Sequence, residues 1–265
     1  MLITTSYDPL PEQLEQIALL QRQLTLLKGV DAPPRIIERR RYSMEQLWER
    51  YEDPDILLVT RRRIEYYHEQ QPALFFHPST AAIRVKRLRN GEQDTLMELA
   101  QTKPGDRILD CTAGLGSDAI VFSYASQATG AVVALESQPL PYLLLKQGLA
   151  AYQSDIDGLD EALRRIQVLQ QDYMDFLHEQ PDRSFDVLYF DPMFRKPIHE
   201  SSSIKAIRKL ADPRPVTDEA IREACRVASR AVIMKEHRDS GELERLGFNE
   251  LHRSTTKIAY GVIRL

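Results

Sequence analysis

Arg107-Ile108-Leu109-Asp110-Cys111-Thr112-Ala113-Gly114-Leu115-Gly116 decides how this chain folds. A short apolar strand ends in a carboxylate, a glycine-containing loop follows, and residues 119–124 continue as an apolar segment. Strand, tight loop and helix in that order open a parallel α/β sheet. Gly114 and Gly116 carry no Cβ, so the backbone turns sharply there and approaches a ligand closely. The helix beyond the loop points its N-terminus at that ligand. Residues 114–119 also fit the dinucleotide fingerprint G-x-G-x-x-A. The loop therefore predicts a nucleotide-type site without choosing the nucleotide.

The pattern repeats outward from this stretch. Residues 131–135 read as a strand ending at Glu136, 167–169 as one ending near Asp172, and 185–190 as one ending at Asp191. A further strand is expected at 231–234, and helices at 94–100 and 218–228. Alternation of strand and helix argues for a parallel sheet covered on both faces. Residues 248–253 and 257–265 read instead as two strands joined by a short turn. The fold class expected is α/β, Rossmann-like, with a mostly parallel sheet ending in an antiparallel hairpin.

The first part of the chain reads differently. Leu14, Ile17, Ala18, Leu20, Leu24 and Leu27 give residues 11–28 a helical period, and Gly29 stops it. Ser43 is placed to cap a second helix. Residues 55–60 form a strand, and 61–67 a hairpin partner. We expect a small α/β unit over residues 1–70 and a larger domain over 71–265.

Bulk properties set limits. The 265 residues suffice for one large domain or a domain with an appendage. Apolar residues make up 43% and charged residues 28%, as in soluble globular proteins. Two distant cysteines, Cys111 and Cys225, match reduced thiols in a cytoplasmic protein. The start of the chain shows no secretory signal pattern, and no stretch approaches the roughly 20 apolar residues of a membrane span. His77, His199 and His237 have no metal-ligand spacing, and no metal is expected.

Four acids, Asp110, Glu136, Asp172 and Asp191, stand at or just beyond the ends of four successive strands. Ligands of open α/β sheets bind outside the carboxyl ends of the strands. Glu136 lies 20 residues beyond Gly116, placed to accept hydrogen bonds from both ribose hydroxyls of NAD or of S-adenosylmethionine (SAM). Asp172 suits either an adenine amino group or the cap of the following helix.

Asp191-Pro192-Met193-Phe194 discriminates between the two cofactors. It resembles the Asp/Asn-Pro-Pro-aromatic motif of enzymes that methylate exocyclic base amines, with Met193 in place of the second proline. Such an amine is a poor nucleophile, because its lone pair is delocalised into the ring. An acceptor on Asp191 favours a pyramidal nitrogen, Pro192 stiffens the turn, and Phe194 stacks on a base taken out of its own stack. NAD enzymes have no use for this motif, which points to SAM. Thr112 stands where the commonest methyltransferase loop has its first glycine.

Charge is uneven in a chain of net −4. Residues 61–90 hold seven basic residues, among them Arg84, Lys86 and Arg87, against Glu65 and Glu69. Residues 195–214, beginning with Arg195 and Lys196, hold six against Glu200 and Asp212. Basic segments beside a base-modifying motif suit an RNA phosphate backbone.

Residues 110–119 and Tyr189-Phe190-Asp191-Pro192-Met193-Phe194 resemble the signature stretches of the ribosomal small-subunit RNA methyltransferase J family. The similarity extends over roughly residues 75–265. It implies SAM-dependent methylation of guanine N2 in small-subunit rRNA. It also implies cofactor contacts at Ser117 and Asp118, at Glu136 and Ser137, around Asp172 and Tyr173, and at Asp191, beside Asp110, Thr112, Gly114 and Gly116 of the loop. Ser117 stands where an arginine is frequent in the family, and Arg195 where a proline is frequent. The alternatives are another substrate of the same reaction class (DNA adenine N6, a protein or a small molecule), an NAD enzyme, and a binding protein that kept the fold and lost catalysis.

Overall fold

The computed structural model describes residues 1–69, 71–193, 210–253 and 257–265. Phe194, Arg195 and Lys196 lie outside the described residues. Two sheets organise the chain, of five and seven strands.

The larger sheet contains the stretch that decides the fold. β6 (Arg107–Asp110), β7 (Ala131–Leu135), β8 (Ile166–Leu169), β9 (Phe185–Phe190) and β10 (Ala228–His237) run parallel. β11 (Glu250–Arg253) and β12 (Ile258–Arg264) close one edge antiparallel. The order is β11-β12-β10-β9-β6-β7-β8. The chain departs from β6 first to one side and then to the other, so a topological switch point lies between β6 and β9, where α/β sheets bind ligands. Helices cover both faces: α3 (Ser79–Arg89), α4 (Thr95–Ala100), α5 (Ser117–Ser126), α6 (Pro139–Ala151), α7 (Leu159–Arg165), α8 (Tyr173–Glu179) and α9 (Asp218–Val227), with a short α10 (Glu242–Arg245). One face packs through Ile108, Ile120, Phe122, Leu145 and Tyr189, the other through Leu109, Leu188, Phe190 and Val232. Neighbours in sequence thus point to opposite faces, which is the period of a strand buried on both sides.

The five-stranded sheet has the order β2-β1-β3-β4-β5. β1 (Leu2–Thr5) pairs parallel with β2 (Arg35–Ile36) and β3 (Asp55–Val59), and β4 (Ile64–His68) and β5 (Leu74–Phe75) follow antiparallel. The helices here are α1 (Pro11–Thr25) and α2 (Met44–Tyr51). Ser43 caps α2 as expected: its Oγ accepts from Gln46 N at 3.3 Å and its N–H donates to Gln46 Oε1 at 2.9 Å. This sheet continues beyond residue 70 into β5. Its core, with Ile3, Leu20, Leu24 and Val59, also takes Leu143 and Leu144 of α6. Leu145 and Leu149 of that same helix fill the core of the larger sheet. α6 is therefore a wedge between the two sheets, and its nearly unbroken apolar sequence follows from burial on both sides.

Candidate active site

A groove opens at the carboxyl ends of β6, β7, β8 and β9. Its walls include Thr112, Gly114, Glu136, Ser137, Tyr173, Asp191, Pro192, Met193 and Arg214. The structure brings together here most of the residues that the sequence placed in one site.

The loop after β6 is fixed by its own backbone. Asp110, 2% exposed, accepts from Thr112 N–H at 3.1 Å. Burial and then the charge of Asp118 push the Asp110 carboxyl well above the usual carboxylate range, against the Thr112 N–H. Gly114 and Gly116 have φ of +55° and +78°, a left-handed conformation that only glycine adopts without strain. A Cβ on Gly116 would lie 2.6 Å from Leu145 Cδ1. Ser117 begins α5 at the surface.

Glu136 ties this loop to the next. Its Oε2 accepts from Gly114 N–H at 3.0 Å and its Oε1 from Gln138 N–H at 2.8 Å. Burial drives its carboxyl up to about 7, although these two donors pull the other way. Ser137 follows on the groove wall. Asp172 caps α8, accepting from Met174 N–H at 2.8 Å, and also pairs with Arg214. The cap that its sequence position allowed is thus present. Tyr173 stands edge-on to Phe190 with ring centroids 5.6 Å apart.

Asp191 begins the loop after β9 and is held from two directions. Its N–H donates to Thr112 Oγ1 at 2.6 Å, so the threonine in the glycine position locks the first loop to the fourth. Its Oδ2 lies 2.7 Å from Lys235 Nζ. Burial raises the Asp191 carboxyl, Lys235 opposes this, and Asp118 adds to it; the net displacement is upward. Lys235 is reinforced as a cation by Asp191 and Asp118 against the cost of its burial.

Asp118 faces inward and is 7% exposed. It pairs with Arg84, accepts from Tyr189 OH at 2.9 Å and lies 3.5 Å from Lys235 Nζ. Burial disfavours its charge, yet Lys235 and Arg84 hold the carboxyl below the ordinary range. Arg84 spends its other nitrogens on Asp94, at 2.7 and 2.8 Å. A largely buried ionic chain, with Asp118 the most enclosed, thus runs Asp94–Arg84–Asp118–Lys235–Asp191. Arg84 lies in this chain and does not face solvent as an RNA-contacting arginine would. Lys86 and Arg87 of α3 are exposed, with Arg87 paired to Glu92 at 2.8 Å.

Lys235 was absent from the sequence expectations. Its signal was present, since a lone lysine follows the apolar residues 231–234 at the same end of the sheet as the four acids. A search for carboxylates at strand ends passes over the cation that serves them.

The family comparison decides the reaction class. Residues 40–256 match the SAM_MT family of SAM-dependent methyltransferases. The chain belongs to that family. This methyltransferase is 38% identical over 263 residues to the protein YpiP of Bacillus subtilis (strain 168), covering 99% of each chain. It is 31% identical over 166 residues to the ribosomal RNA small subunit methyltransferase J of Coxiella burnetii (strain RSA 493 / Nine Mile phase I). That match covers 60% of this chain and 62% of the relative. The solved SAM-dependent methyltransferase NGO1261 from Neisseria gonorrhoeae superposes with a TM-score of 0.64 over 100% of this chain and 96% of that one. At 13% identity that likeness concerns the fold.

The residues present fit SAM. Each Glu136 oxygen uses one acceptor site on a backbone N–H and keeps capacity for a ribose hydroxyl. Gly114 leaves the backbone without a side chain where it meets that carboxylate. Leu135, Tyr173 and Val216 supply apolar groove wall for a base. Among the described residues no cluster of His, Cys, Asp and Glu is arranged to hold a metal ion. None of their helices is long and apolar enough to cross a membrane.

Proposed function

We propose that this methyltransferase modifies an exocyclic base amine, guanine N2, in small-subunit ribosomal RNA. The observation that carries the proposal is Asp191 in its Pro192-Met193 turn. Its backbone is tied to the cofactor loop by Thr112 and its carboxylate to Lys235, and the residue lies on the wall of the groove. The relatives named ribosomal RNA small subunit methyltransferase J support the RNA assignment.

Bound SAM supplies an electrophilic methyl group on a sulfonium. The protein supplies position and charge. Glu136 would receive the ribose, the loop of Thr112, Gly114 and Gly116 would hold the cofactor beside it, and Ser117, Ser137, Asp172 and Tyr173 would complete its surroundings. Asp110 and Asp118 act one layer below, Asp110 by folding the loop and Asp118 by anchoring Lys235. The Asp191 carboxylate accepts a hydrogen bond from the target N–H and draws the nitrogen lone pair out of conjugation. As the nitrogen gains its fourth bond it becomes acidic, and its proton passes to the Asp191 carboxylate or to water. Holding the reacting atoms in line accounts for most of the acceleration in such a transfer. Phe194 stacks on the extruded base, and Lys86, Arg87, Arg195 and Lys196 meet its phosphates.

We divide the chain into a small N-terminal unit and a catalytic domain. The division falls after β5, where the first sheet ends.

The test uses small-subunit rRNA from a deletion strain, purified enzyme and SAM labelled in the methyl group. After nuclease digestion the label is expected in N2-methylguanosine. Label in N6-methyladenosine, or in protein when ribosomal subunits are used, would replace this reading with the corresponding substrate.

A further inference from the structure

We infer that the N-terminal sheet carries a second RNA-binding surface, an arginine rim remote from the catalytic groove. The inference rests on the RNA reading above and concerns residues that reading does not use.

The topology assembles the rim. β2, β1 and β3 are parallel neighbours, so the segments that follow them leave the same edge. Two hydrogen bonds carry the pairing to that edge, Ile37 N to Ile3 O at 2.9 Å and Ser6 N to Val59 O at 3.0 Å. Beyond β2 comes Arg39-Arg40-Arg41, beyond β1 comes Tyr7, and beyond β3 comes Arg61-Arg62-Arg63. Two triple-arginine runs, 20 residues apart in sequence, thus flank one tyrosine. Contacts join the three loops. The Arg39 guanidinium lies 4.4 Å from the Tyr7 ring centroid, and Arg61 Nη2 reaches Asp8 O at 3.5 Å. The loops of Tyr7 and Arg39–Arg41 line a pocket of about 940 Å³.

The charge is concentrated and available. Arg40, Arg41, Arg61 and Arg62 are exposed, and only Asp8 and Glu38 lie beside them in the same loops. Arg40 meets Glu38 at 3.4 Å with both side chains well exposed, a pairing too weak to withhold the guanidinium. Strand spacing of about 4.8 Å sets the two runs about 10 Å apart. A polyanion bridges that distance and a single phosphate does not. Tyr7, 48% exposed beside a guanidinium plane, offers the stacking face that single-stranded RNA uses.

The rim is far from the chemistry. At the other end of α1, Lys28 exchanges hydrogen bonds with Gln170, and Gly29 approaches Pro139 beside the cofactor loop. The 15 residues of α1 therefore separate rim and groove by about 22 Å. RNA held at both places is anchored on the N-terminal unit and read in the groove.

The test measures binding of deproteinised small-subunit rRNA as a function of salt. It compares the full-length protein with the variant R40E/R41E/R62E, with SAM affinity and melting temperature as controls. These side chains are exposed, so the fold and the SAM affinity are expected to be unchanged. RNA affinity is expected to fall by about 10- to 100-fold at low salt. The slope of log K against log salt should become shallower by about 2, as two or three phosphate contacts are lost. Equal affinity and slope for both proteins overturns the rim while leaving the substrate reading standing. If the wild-type protein itself shows no salt-dependent affinity for the rRNA, both readings fail together.

Discussion

Replacing Lys235 by Met removes the cation that holds Asp191. Lys235 Nζ lies 2.7 Å from Asp191 Oδ2 and 3.5 Å from Asp118 Oδ2. Its absence leaves two carboxylates facing each other with Arg84 alone to offset them. The other groups acting on Asp191 come from separate elements: Asp110 of β6, Asp118 of α5, Tyr189 of β9 and Tyr260 of β12. Of these, Asp118 favours the protonated acid. Asp191 is already displaced upward by burial, and loss of Lys235 displaces it further. A protonated Asp191 is a poor acceptor for an amine. A hydrogen bond to a charged group is worth about 1.5–3 kcal/mol, so kcat at neutral pH should fall by about 10- to 150-fold. The sign follows from the acid: the deficit is largest at low pH and shrinks as pH rises and Asp191 ionises. The assay is the initial rate of methyl transfer from labelled SAM across a pH series, beside SAM affinity by calorimetry. Lys235→Arg should restore most of the rate, since it restores the charge. A loss equal at every pH would refute the reasoning, and so would an undiminished rate. Removing one member of a buried pair also costs about 3–5 kcal/mol of stability, so melting temperatures must accompany the rates.

Other outcomes follow from the same geometry. Gly116→Ala places a Cβ 2.6 Å from Leu145 Cδ1 at φ +78°, and should lower stability by about 1–3 kcal/mol and weaken SAM binding, both read by melting curves with and without SAM. Thr112→Val removes the acceptor of the Asp191 N–H and leaves a buried donor unpaired, at about 1–3 kcal/mol; kcat should fall more than SAM affinity. Glu136 titrates at about 7 and serves the ribose when ionised, so SAM affinity should drop as pH falls below that value, and Glu136→Gln should flatten the dependence in calorimetry.

The parallel sheet was legible because strands buried on both faces are short apolar runs punctuated by acids and glycine loops. Residues 107–110, 131–135 and 185–190 were bounded as they occur in the structure. β1 leaves no signal of its own in the sequence, being a run of four residues whose pairing with β2 and β3 is wholly non-local. α6 leaves none either, because a helix apolar on nearly every side has no amphipathic period, and its cause is a second sheet that the first 70 residues only hinted at. In the site, Asp110, Glu136 and Asp191 converge as their strand-end positions implied. The pairing of Arg84 was not legible from composition. Of its two carboxylate partners Asp94 caps α4 and Asp118 lies on α5, and the packing of α3 against α5 turns a basic segment's arginine inward. The same packing makes Asp118 a support for Lys235.

The most direct test of the central claim is a mass-spectrometric map of small-subunit rRNA modifications. The strains compared are the parent, a deletion, and the deletion complemented with wild-type or Asp191→Ala protein. The account predicts that one N2-methylguanosine disappears on deletion, returns with the wild-type gene and stays absent with Asp191→Ala. Identical maps in all four strains would contradict it.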